Sequence, residues 1–262
     1  MPANKVQDLA VRETPTDVIT WDDVEVPDEF CENDPGRFPS LQIIQKPVES
    51  IPNSRQHGGD FWRSDLEEFA EQIEGTFLAY QPTRALFQKM GVGDGRPICH
   101  SEDGIKPVPG QPVWSMERIT LRDQGEIAGG AVFDEPATCA ACPFRTNGCK
   151  FSYVSYLLDD DGYLLRMRFK GTGVMAFANF LRTLRPKALR VGSKMKGRPI
   201  FSKRIRLTTV NRTKDDFTWF EPQIEVLGDT NPRHNEQFMG YARIVRTRIS
   251  QGFEPLVEEE MD

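Results

Sequence analysis

Apolar and basic residues alternate along two stretches of the C-terminal half of this chain. In YLLRMRFK (163–170) the alternation predicts a strand with one wet face. RPIFSKRIRLTTV (198–210) repeats it, setting Phe201, Ile205 and Leu207 against Lys203, Arg204 and Arg206. FSYVSYLL (151–158) and DFTWFEPQIEVLG (216–228) have strand composition, and DDDG (159–162) reads as the turn after the first of them. In TGVMAFANFLRTLRP (172–186) the period becomes helical: Val174, Phe177, Leu181 and Leu184 lie on one side, and Pro186 ends the run. NPRHNEQFMGYARIVRTRIS (231–250) predicts a closing helix, with Phe238, Tyr241, Ala242, Ile244, Val245 and Ile249 near the same period.

The N-terminal half is less regular. FPSLQIIQ (38–45) is a short apolar run and a predicted strand. SDLEEFAEQIEG (64–75) predicts a helix, with Ser64 as N-cap, an acidic first turn, Leu66, Phe69 and Ile73 at helical spacing and Gly75 as the stop. TFLAYQPTRALFQ (76–88) has strand composition broken by Pro82, and residues 90–115 are Gly/Pro-rich and read as loop. Residues 1–36 are polar and acidic and read as a disordered arm. The order strand, strand, strand, helix, strand, strand from 76 to 228 predicts an α+β, mainly β fold. It fits a five-stranded OB-like barrel, whose helix lies between the third and fourth strands. On that reading one domain spans 37–250, with an insertion at about 90–150, the helix 231–250 closing it and an acidic tail at 251–262.

Cysteine spacing gives the insertion a chemistry. Cys139, Cys142 and Cys149 form C-x2-C-x6-C, and Cys99 lies upstream. Four thiolates complete a tetrahedral Zn²⁺ site, and metal ligation stabilises a Gly/Pro-rich segment too short of apolar residues to order alone. Zinc is expected ahead of an iron–sulfur cluster. His100 is the substitute ligand, and Cys31, in the acidic arm, is a bystander. The triplet also resembles that of the iron–sulfur nucleases related to CRISPR adaptation nucleases. Too few residues separate Cys99 from Cys139 to hold their nuclease core, and no convincing carboxylate set accompanies them. There is no phosphate-binding glycine loop, and His57, His100 and His234 are scattered, so no catalytic function is expected.

Net charge is −6, which alone argues against a nucleic-acid binder, but the charge is segregated. Residues 1–60 carry 12 acidic and 5 basic side chains, whereas 164–214 carry 15 Lys and Arg and no Asp or Glu. That cationic block attracts a polyanion by counterion release. Its expected contacts are Arg166, Arg168, Lys170, Arg182, Arg185, Lys194, Lys196, Arg198, Lys203, Arg204 and Arg206. Tyr156, Phe169 and Trp219 are the expected stacking rings for bases. No apolar run approaches the roughly 20 residues of a membrane span, and the N-terminus lacks an apolar signal core, so a cytoplasmic protein is expected.

The cysteine-bearing insertion, the basic OB-like core and the tail FEPLVEEEMD together resemble phage-type single-stranded DNA-binding proteins. The resemblance implies a non-enzymatic protein that coats single strands during replication, recombination or repair. It also implies that the acidic tail docks onto replication or recombination partners. The alternative of a different class is a zinc-containing adaptor that binds another protein. Residue types leave DNA versus RNA open.

Overall fold

The computed structural model describes residues 38–89, 91–92, 96–122, 124–184 and 198–250. The expected acidic arm and acidic tail lie outside these residues. Strands take 41% of the residues and helices 22%, so the protein is mainly β, as the sequence pattern implies.

One sheet holds nine strands: β1 (Ser40–Ile43), β2 (Phe61–Arg63), β3 (Glu68–Ala70), β4 (Ile73–Phe87), β5 (Pro97–Ser101), β8 (Lys150–Asp159), β9 (Leu164–Lys170), β10 (Lys203–Lys214) and β11 (Phe217–Asp229). Its order is β11-β10-β4-β8-β9-β1-β2-β3, with β5 paired to the end of β4. β6 (Arg118–Leu121) and β7 (Gly125–Ala128) form a separate ribbon. All neighbours are antiparallel except β1 and β9, so the sheet is mixed. It curls into a half-barrel rather than a closed five-stranded barrel.

Two helices cover the two faces. Alternation along β9 buries Leu165, Met167 and Phe169 on the inner face. They meet Phe77 of β4, Leu157 of β8, and Ile205 and Leu207 of β10. Helix α1 (Gly173–Thr183) closes this core with Phe177 and Phe180. On the other face Ala79, Val154 and Tyr156 pack with Phe38 and with Val245 of helix α2 (Asn235–Ser250). Fully burying each such side chain contributes about 1.5–3 kcal/mol.

The strand at 76–88 extends through Pro82 without a break. β4 pairs with β8 over Gly75–Ala85, with β10 only over Ile73–Thr76 and with β5 only over Arg84–Phe87. Its second edge therefore has no partner strand around Pro82, where a missing N–H is tolerated. The expected loop at 90–115 contains β5.

The helix expected at 64–75 is instead a β-hairpin running into β4. Residues 64–67 turn, Glu67 takes φ 50°, and Phe69 joins β3 opposite Trp62. Phe69 stacks on His57, with ring centroids 3.9 Å apart, and Leu66 is left exposed. Arg63, 4% exposed, holds the hairpin through Glu68 at 3.1 Å and Asp159 at 3.0 Å. Gly75 is no helix stop. A Cβ there would lie 2.3 Å from the Leu158 carbonyl oxygen, so only glycine lets β4 pass between β8 and β10.

The ends of the curl meet through side chains. Gln45, just past β1, donates its amide N–H to the Phe220 carbonyl at 2.7 Å and accepts the Phe220 N–H at 2.8 Å. Thr209 donates its hydroxyl to the Gly59 carbonyl at 2.7 Å. Gly59 has φ 94°, and a Cβ there would lie 2.7 Å from the Phe220 ring. Gly59→Ala should therefore lower the melting temperature by about 4–8 °C in differential scanning fluorimetry. Gly228→Ala, where a methyl group meets nothing within 4 Å, should leave it within about 2 °C.

Candidate nucleic-acid interface and metal centre

The segment between β4 and β8 builds a small core of Leu86, Ile98, Val113, Ile119, Leu121 and Phe144 around Cys99. β5 supplies Cys99, opposite Leu86 of β4. The loop bearing the other three cysteines is folded by backbone bonds from Cys139 N–H to the Ile105 carbonyl (2.7 Å) and from Cys149 N–H to the Phe144 carbonyl (3.1 Å). All four are free thiols, Cys99 and Cys139 buried and Cys142 and Cys149 half-buried.

The structure brings the four expected ligands into one electrostatic neighbourhood. The Cys99 thiol is pushed up from 9.0 to about 12, first by burial and then by Cys142, Cys149 and Cys139. Burial also raises Cys142, against backbone N–H groups of Phe144 and Arg145 that donate to its sulfur. Burial raises Cys149, against the charge and hydrogen bond of Arg84. His100 follows Cys99 in a strand and so faces the opposite way, which removes it as the substitute ligand. Among the described residues, no group of three or more His, Cys, Asp or Glu side chains stands in metal-holding geometry. In kind, though not in placement, the donors suit four-thiolate zinc ligation: soft sulfur, partial burial and N–H donors that stabilise a thiolate.

The strands carry charge unevenly. Most cations expected on β10 and just before it are paired with carboxylates. Arg204 meets Glu74 at 2.6 Å and also Asp160; Arg206 meets Glu74 at 2.7 Å and Glu225 at 3.1 Å. Arg198 meets Asp229 at 3.1 Å, and Lys203 pairs with the same carboxylate. These four face the protein's own acids rather than forming the open channel expected of them. Arg166 and Arg168 are half-buried and Lys170 is exposed, all on the face of β9 opposite the α1 core. Arg182 is exposed on α1, donating to Asn179 at 2.8 Å. Arg185, Lys194 and Lys196 lie outside the described residues.

Two of the three expected stacking rings are core. Tyr156 and Phe169 are each 0% exposed, packed against Phe38 and Phe177 respectively, and cannot reach a base. The parity of β8 and β9 sends both inward, to opposite helices. Trp219 is half-buried on the hairpin of β10 and β11, whose tip is exposed. There Arg212 lies opposite Trp219 and Lys214 opposite Phe217, so two cations and two rings share one face. Phe217 is 65% exposed, and its ring lies 6.1 Å from that of Trp219 at 30°. Arg212 also holds Glu221 at 3.0 Å.

No family model, curated protein or solved structure matches this chain. Its function therefore rests on the geometry. Among the described residues no helix is long and apolar enough to cross a membrane.

A metal held by the four sulfurs makes a testable pair of pH dependences. Ligation needs thiolates, so the loaded protein should lose metal and melting temperature as pH falls. In the stripped protein the raised Cys99 pKa favours the thiol, a contribution fully present below pH 9.0 and lost as pH climbs from 9.0 towards 12. Elemental analysis should find about one zinc per chain, lost in Cys99→Ser or Cys142→Ser. Protein from zinc-replete growth that carries no metal would exclude the site.

Proposed function

We propose that this protein is a non-catalytic single-stranded DNA-binding protein of OB-like architecture, with a zinc-stabilised insertion between its first two barrel strands. The observation that carries the reading is the exposed tip of the β10–β11 hairpin, where Phe217 and Trp219 share a face with Arg212 and Lys214. Bases of any sequence stack on such rings while the cations follow the phosphates. In OB folds the loop between the last two strands is one of those that grip oligonucleotides. The strand order supports this placement. β4, β8 and β9 run as consecutive neighbours, α1 follows β9, and β10 and β11 complete the set on the far side of β4. The ion pairs of Arg198, Lys203, Arg204 and Arg206 move the reading away from the body of β10 and towards the hairpin tip, where Phe217 and Trp219 supply the rings and Lys214 and Arg212, itself paired with Glu221, supply the charge.

Zinc in the insertion is structural in this reading. Held by Cys99, Cys139, Cys142 and Cys149, it supplies folding energy and no reactive water. The reading places the protein in replication, recombination or repair, in the cytoplasm of its cell or host, with partners at the acidic tail.

Fluorescence anisotropy with a labelled oligothymidine of about 20 nucleotides tests the function. Binding should weaken steeply between low and high salt. Phe217→Ala and Trp219→Ala should each cost about tenfold in affinity, with little change in melting temperature for the more exposed Phe217. An RNA preference would move the substrate to the other nucleic acid. A specific observation favours one second reading, an adaptor. The insertion exposes Ile105 and Val132 at 61% each and Phe133 at 45%. Absence of oligonucleotide binding at low salt would favour that apolar surface as the working face.

A further inference from the structure

The nine-stranded sheet ends on a strand whose second side is open. β11 is last in the strand order, and β10 is its sole partner strand among the described residues. Along such a strand successive residues turn their backbone groups to alternate sides. Phe220 shows which residues turn away from β10, because its N–H and its carbonyl both go to the Gln45 amide. The ladder with β10 stays in register from there through Val226, so Pro222, Ile224 and Val226 turn the same way. Gln45 takes the place of a neighbouring strand at Phe220 and reaches no further. Beyond it the edge offers the carbonyl of Pro222 and the N–H and carbonyl of both Ile224 and Val226.

A groove of about 530 Å³ follows this edge, between Met175, Ala176 and Asn179 of α1 and Pro222, Ile224 and Val226 of β11. Met175 is 55% exposed and Val226 37%. An open strand edge beside a helix, with apolar side chains between them, is the setting in which a further strand joins a sheet.

The edge residues select that strand. Two copies of β11 can pair antiparallel about a two-fold axis at Ile224. Ile224 then exchanges both hydrogen bonds with Ile224 of the second copy, and each Val226 N–H meets the Pro222 carbonyl opposite. On the α1 side Pro222 packs on Val226 and Ile224 on Ile224. On the other side Gln223 lies opposite Glu225, and Glu221 opposite Leu227, so no carboxylate faces another. The smallest slip that keeps the hydrogen bonds is two residues. In one direction it sets Glu221 against Glu225, and in the other Glu225 against Glu225. A slip of four meets Gln45 at Phe220 on one side and the bulge after Val226 on the other. The edge is complementary to itself in the register centred on Ile224. We infer that two copies of this chain associate through their β11 edges, so that the sheet of one continues into the sheet of the other. This dimer goes beyond the proposed function and does not depend on it.

Sedimentation velocity of the full-length protein tests the inference. At about 100 μM the protein should sediment as a dimer that dissociates on dilution. Gln223 is exposed, so its substitution spares the packing of the single chain. Gln223→Glu sets a carboxylate opposite Glu225 on both sides of the axis and should weaken association about tenfold, whereas Gln223→Lys should tighten it about as much. Hydrogen exchange should slow at the Ile224 and Val226 amides as concentration rises, while the Phe220 amide, held by Gln45, exchanges alike at every concentration. A protein that remains a single chain at that concentration would overturn the dimer and leave the edge to a strand of another protein. A dimer indifferent to the charge at position 223, or one whose Ile224 and Val226 amides exchange as in dilute protein, overturns it equally, since its contact lies elsewhere. Oligothymidine binding at the hairpin tip is decided by neither result.

Discussion

Phe177 is the ring around which the rest of the structure is arranged. It is fully buried and touches Phe77, Tyr80, Tyr153, Phe169 and Phe180. Those neighbours come from β4, β8, β9 and α1, so one side chain fixes the helix to the three central strands. Aromatic contacts of this geometry add about 0.5–1.5 kcal/mol each beyond area burial. The same ring that completes the core also supports the tyrosines at its rim. Phe169 and Phe77 pack on Phe177, and Tyr80 emerges beside it.

Charge follows a second constraint. A strand rich in arginine cannot lie in the middle of a sheet without either solvent or counter-charges, and β10 has found the second. Glu74 serves Arg204 and Arg206 together, and Asp229 serves Arg198 and Lys203. The asymmetry seen along the sequence is thus partly cancelled in three dimensions.

Much of the fold was legible because local periodicity wrote it. The alternation of Leu165, Met167 and Phe169 with Arg166, Arg168 and Lys170 gives β9 directly, and the spacing of Phe177, Leu181 and Leu184 gives α1. Spacing marked the three cysteines of one loop, and the fold adds Cys99 to their neighbourhood. Other features needed information that spacing does not hold. Leu66, Phe69 and Ile73 satisfy a helical period, yet Arg63 finds its buried partner in Asp159, far along the chain, and that pair commits the segment to a hairpin. Tyr153 and Tyr156 have the same residue type in the same strand. Only the register of β8 and the placement of the helices decide which one reaches solvent. The pairing of Arg204 with Glu74 spans 130 positions, so a reading by charge runs counts the arginine as available.

The insertion has a consequence for how such a chain is put together. β4 and β8 are partners in one ladder, and Ala85 stands directly across from Lys150. Everything from the end of β4 to the start of β8, cysteines included, departs from and returns to the same spot. To the half-barrel, that excursion begins and ends as a reverse turn would, but it also lays β5 against the end of β4. Reshaping the loops beyond β5 therefore leaves the threading of the sheet intact, whereas removing the unit whole strips the end of β4 of one neighbour.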